Sequence, residues 1–155
     1  MTSITNEEKI RNNHEQYEIE SWEDQKLDLN NNVLRGIYSF GFEKPSSIQK
    51  KALYPMTKNI HNGRRRDITA QAQSGTGKKG AFVIGLLNIL KKDVKGPQVL
   101  ILAPTHELAD QTLNVVENLS RYMKDVNPTL LVGGTSVDKN KKILNTKHPK
   151  IVVGT

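Results

Sequence analysis

Residues 1–20 are polar and mostly acidic with no sustained apolar period, which predicts a disordered tail over 1–21 and an ordered region opening at Trp22. Leu29, Val33, Leu34 and Ile37 then recur at helical spacing until Gly41 stops the helix. Pro45 sets an extended entry, and Ser46 or Ser47 can cap a second helix running to about Ile60 with a kink at Pro55. His61-Asn62-Gly63-Arg64-Arg65-Arg66 reads as a turn with a basic cluster, more simply a solvated loop than a site. Ile68–Ala72 is a β-type run, Gly80–Leu90 a helix, and Gln98–Ala103 an all-apolar strand of the kind buried on both faces. Leu108, Thr112, Val115, Val116, Leu119 and Met123 mark one face of a helix. Thr129–Val132 is a third strand ended by Gly133-Gly134, Asp138–Lys147 a short basic helix, and Ile151–Val153 a fourth strand. Strand and helix alternate, so the pattern predicts an α/β domain over 22–155 with a parallel sheet and helices on both faces.

Charge adds a partner class. Lys and Arg number 23 against 16 Asp and Glu, for a net charge of +7, and the acidic first two dozen residues leave the body more basic still. A basic body suits a polyanion, with nucleic acid ahead of membrane because no amphipathic basic helix stands out. The chain has no cysteine, which excludes disulfides and thiolate metal sites and is compatible with a reducing compartment. No apolar run reaches ~18 residues and Met1–Ser21 lacks an apolar core, so neither a membrane-spanning helix nor a secretory signal is expected.

The candidate chemistry lies in Ala72-Gln73-Ser74-Gly75-Thr76-Gly77-Lys78-Lys79, between a strand-type run and a helix-type run. A glycine-broken loop there aims backbone N–H groups and a helix N-terminus at an anion, and Lys78 adds a point charge for outer phosphates. Ala72 stands where the first glycine of this pattern is usual, and Lys79 where Ser or Thr would hold Mg²⁺. The plainer alternative is an ordinary strand-to-helix connection.

Gly41–Gln49, Ala72–Lys79 and Pro104-Thr105-His106-Glu107-Leu108-Ala109, in this order and spacing, resemble the N-terminal RecA-like half of a DEAD-box RNA helicase. Gly133-Gly134 and Val152–Thr155 extend the resemblance, and Leu34–Tyr38 running into Gly41–Pro45 points to the translation-initiation branch. The resemblance implies a P-loop, RecA-like parallel sheet, ATP as cofactor with Mg²⁺, RNA bound without sequence preference, translation-initiation proteins as further partners, no membrane, and a cytoplasmic or nuclear site. ATP would be held by Phe42, Lys44, Gln49 and the loop 72–79, with Trp22 as the aromatic that covers the base, two residues further upstream than usual; a plain core tryptophan is the alternative. Gln49 would read adenine, whose edge offers a donor beside an acceptor that one amide can satisfy. RNA phosphate and 2′-OH would be gripped by Pro104, Thr105, His106 and Glu107 and approached by Gly133 and Gly134, the glycines serving equally well as a simple turn. His106 replaces the usual Arg, exchanging a permanent five-donor fork for a mostly neutral ring.

The acidic box that would hold Mg²⁺ and activate water, and the second RecA-like domain, would lie beyond Thr155, so no catalytic residue is expected within the chain. Lys79 adds an ammonium that would repel a dication ~4 Å away by about 8 kcal/mol at an effective dielectric of 20. The expectation is an N-terminal fragment of an ATP-dependent RNA helicase of the translation-initiation type, an ATP hydrolase by family and inactive as this chain; the alternative is a non-catalytic nucleotide- or RNA-binding module, a decayed or dominant-negative helicase copy. Ile68–Ala72 is also expected to lack its central sheet neighbour.

Overall fold

Asn30 opens α1 (Asn31–Ser39) by accepting the Asn32 N–H at 2.9 Å, in a computed structural model that describes residues 17–58, 60–61, 64–65 and 67–155. Tail residues 1–16, and Asn62, Gly63 and Arg66 of the basic turn, lie outside the described residues. Residues 17–21 belong to the packed body, against the expected boundary at Trp22. Ile19 is fully buried and donates its N–H to the Lys50 carbonyl at 3.1 Å, and Tyr17 stacks on Tyr54. A single apolar residue among acids has no period, so nothing in the local pattern marks it as core.

Helix α2 (Ser47–Lys58) ends two residues short of the expected Ile60 and carries Pro55 in its last turn, where only one helical hydrogen bond is lost. A short antiparallel pair, β1 (Ile60–His61) with β2 (Arg64–Arg65), follows. Beyond it, α3 (Lys78–Asn88), β3 (Val99–Leu102), α4 (His106–Leu119), β4 (Thr129–Leu131), α5 (Val137–Lys147) and β5 (Ile151–Gly154) form a parallel sheet in the order β3-β5-β4 with its helices. The central strand, β5, is buried at all four positions. Val33 and Ile37 of α1, Leu53 of α2, Val83, Ile84 and Leu87 of α3, and Val116 and Leu119 of α4 join Ile151 and Val153 in one core. Each such side chain contributes ~1.5–3 kcal/mol on burial. Among the described residues no helix is long and apolar enough to cross a membrane.

Two strand expectations are corrected. Residues 67–73 carry no strand ladder, and Ile68 is 41% exposed, because no described strand lies alongside to pair with them. Strand β3 is buried on one face only: Val99 and Ile101 pack into the core, while Leu100 and Leu102 are 66% and 70% exposed on a free edge of the sheet. An all-apolar run records side chains suited to burial, not whether a neighbour covers both faces.

Candidate functional site

Gln49 is the hinge of the site. It sits three residues after Ser46, the residue before α2, and its Oε1 accepts the Ser46 N–H at 2.7 Å, half of a capping box. Its Nε2 donates to the Gly77 carbonyl at 3.3 Å, and the Ser46 hydroxyl donates to the Thr76 carbonyl at 2.8 Å. The start of α2 is thereby fastened to the loop, and Gln49 is left only 2% exposed. The loop accommodates this by having no side chain where contact is closest. A Cβ at Gly77, whose φ is +92°, would stand 2.9 Å from Gln49 Nε2, and one at Gly80 would stand 2.8 Å from Phe42 Cε2.

Phe42, Ser74, Gly75, Gly77, Lys78 and Lys79 line a cavity of about 300 Å³ at the N-terminus of α3. Lys78 Nζ donates to the carbonyls of Ala72 and Gln73, and the Thr76 hydroxyl donates to the Gln73 carbonyl at 2.8 Å, so the loop is closed on its own backbone. Lys79 Nζ turns to α4, donating to Gln111 Oε1 at 2.6 Å, and Gln111 Nε2 donates to Glu107 Oε1 at 3.3 Å. Gln111 was not singled out from sequence; its spacing of four from Glu107 marks the pair but not the lysine that joins it.

Of the expected nucleotide residues, Gln49, Ala72, Gln73 and Thr76 reach this cavity only through their bonds to the loop, and Trp22 and Lys44 stand apart from it. Trp22 is 1% exposed, donates its indole N–H to the Phe42 carbonyl at 2.9 Å, and stacks on the Phe42 ring with centroids 6.4 Å apart. It is a core tryptophan that backs Phe42 rather than a ring presented to a ligand. Lys44 is exposed and does not line the cavity.

The expected RNA residues do meet. Thr105 caps α4 by accepting the Leu108 N–H at 3.2 Å, which places Pro104, Thr105, His106 and Glu107 in solvent past the C-terminal end of β3. Gly133 and Gly134 are exposed just past β4, and a Cβ at Gly133 would lie 3.6 Å from His106 Nε2. Both motifs therefore share the carboxyl edge of the sheet, where open α/β sheets place ligands. A divalent cation does not fit: the loop cavity presents two lysines and no carboxylate, and the described residues contain no group of three or more acids and histidines able to hold a metal.

A DEAD/DEAH box helicase family model matches residues 46–155. The chain is 45% identical over 129 residues to "ATP-dependent RNA helicase eIF4A" of Aspergillus fumigatus, covering 83% of this chain and 30% of that protein. A DEAD box protein from the hyperthermophile Methanococcus jannaschii superposes with a TM-score of 0.76 at 34% identity, over 89% of this chain and 35% of the other. Saccharomyces cerevisiae Dbp5 bound to RNA and ADP BeF3 superposes with a TM-score of 0.71 at 39% identity, over 84% and 31%. The chain thus spans about a third of the length of the relatives it matches.

Proposed function

The chain belongs to the DEAD/DEAH box helicase family, and from that premise we propose that it is the adenine-nucleotide- and RNA-binding portion of an ATP-dependent RNA helicase of the translation-initiation type. The observation that carries the reading is Gln49 bonded to Gly77 beside Phe42, which puts an amide at one end of a phosphate-sized loop. Oε1 keeps a second lone pair and Nε2 a second N–H, enough to pair with an adenine edge. Gln49 is buried, so its neighbours Ser46, Gly77 and Gly80 have to yield for a base to reach it.

The loop's N–H groups and Lys78 bind the phosphates, Lys78 exchanging the Ala72 and Gln73 carbonyls for phosphate oxygens. His106, Thr105 and the Gly133-Gly134 backbone hold RNA phosphate and sugar without reading bases. Hydrolysis is not part of the proposal for this chain. Mg²⁺ would supply charge neutralisation at the phosphates, and Lys79 with a carboxylate-free cavity does not suit it. The second reading, a non-catalytic module that binds nucleotide or RNA, is favoured by the same lysine. Initiation proteins as partners and a cytoplasmic setting belong to the first reading and rest on its likeness to eIF4A.

Photolabelling with 8-azido-ATP followed by peptide mapping tests where the base sits. Label on residues 40–44, removed by excess ADP, is expected; label elsewhere, or label that ADP does not remove, would refute the site.

A further inference from the structure

At the opposite end of α3 from the loop, about 16 Å along the helix axis, lies a second cavity of about 420 Å³. Arg35, Lys91, Lys92, Lys124 and Lys150 line it against one carboxylate, Asp125. None of the five cations is ion-paired among the described residues, where the salt bridges join Lys50 to Glu20, Lys51 to Glu18 and Lys58 to Asp28. Lys150 is the least ordinary of them. It is 6% exposed, and its ammonium donates to the carbonyls of Lys91 at 3.0 Å and Lys92 at 2.8 Å. Its third N–H has no acceptor among the described residues. A buried ammonium without a counter-ion is costly, and an anion in the cavity it lines would remove that cost.

Leu90, Met123 and Val126 make the rest of the wall apolar, and one helix end adds to the positive side. Asn30 and Asn32 bring the N-terminal turn of α1, which has no acid of its own, to the rim. Arg35 lies over the Tyr122 ring at 4.4 Å from its centroid, which steadies the guanidinium there. The volume falls in the range of small-molecule sites, roughly 300–1,000 Å³, and the surplus of cations calls for several negative charges in a compact body.

We propose that this cavity is a binding site for a small oligophosphate, separate from the phosphate loop and independent of the nucleotide reading. The test is titration of the ¹⁵N-labelled full chain with sodium tripolyphosphate, without Mg²⁺ and at constant ionic strength, in the wild type and in Lys78→Ala, which weakens the loop. Saturable shifts of the Asn32, Lys92 and Lys124 amides are expected in both. Lys92→Glu with Lys124→Glu, both exposed and safe for folding, should weaken that binding at least tenfold, and Lys150→Met should weaken it as well if the variant folds. Three outcomes would overturn the proposal: shifts confined to residues 73–79 and lost in Lys78→Ala, non-saturating shifts spread over all lysines, or no shifts.

Discussion

Lys79 Nζ donates to Gln111 Oε1 at 2.6 Å, tying the first turn of α3 to α4. The cation is held within the cavity's lining, where a hydroxyl would serve a metal. ADP affinity should therefore change less than about twofold when Mg²⁺ is added, and Lys79→Thr should introduce a gain of about tenfold, or ~1.4 kcal/mol. Calorimetry with and without Mg²⁺ measures both. A strong Mg²⁺ gain in the wild type would contradict this role for Lys79.

His106 and Gly133 lie against each other at the carboxyl edge of the sheet, so an arginine at 106 would carry a permanent cation to the Gly133 backbone. His106→Arg should tighten single-stranded RNA binding at pH 7.5 and steepen its salt dependence by about 0.7 in log–log slope, one phosphate contact. Fluorescence anisotropy over a salt series gives the slope. An unchanged slope would remove His106 from the RNA contact.

Gln49 holds the fold and, in the proposed reading, meets the base, so its loss should register in both. Gln49→Ala leaves the Ser46 N–H and the Gly77 carbonyl without their partner and should cost about 1–3 kcal/mol in denaturant unfolding. Gln49→Glu keeps the acceptor for Ser46 but buries a carboxylate against the Gly77 carbonyl, and should weaken both the fold and ADP binding. ADP affinity unchanged in a Gln49→Ala chain that still folds would assign Gln49 to structure alone.

The parts of the site that were legible in the sequence are those fixed by local chemistry. Gly75-Thr76-Gly77-Lys78 has the backbone freedom and the charge of a phosphate loop in any setting, and α3 follows it as expected. His106 and Gly133 are placed by strand ends, so their meeting follows once the strands are found. What was hidden depends on neighbours distant in sequence. Ile19 becomes core because Lys50 accepts its N–H, and Trp22 becomes a support because Phe42 lies over it. Leu100 and Leu102 read as buried although one face of β3 is open, and Ile68–Ala72 reads as a strand although nothing described pairs with it.

That contrast has a measurable consequence. Amides of 68–72, without a ladder, should exchange with solvent orders of magnitude faster than those of Ile151–Val153, which sit in the central strand with partners on both sides. Hydrogen exchange by NMR or mass spectrometry compares them within one sample. Comparable protection in both segments would mean that 68–72 is paired in solution.

The central claim is that the loop, Gln49 and Phe42 form an adenine-nucleotide site, and calorimetric titration of the full chain with ADP and GDP tests it most directly. The account predicts saturable one-to-one binding of ADP, at least tenfold weaker binding of GDP, whose edge offers two acceptors where adenine offers a donor beside an acceptor, and loss of ADP binding in Lys78→Ala. No ADP binding, or equal affinity for ADP and GDP, would contradict it.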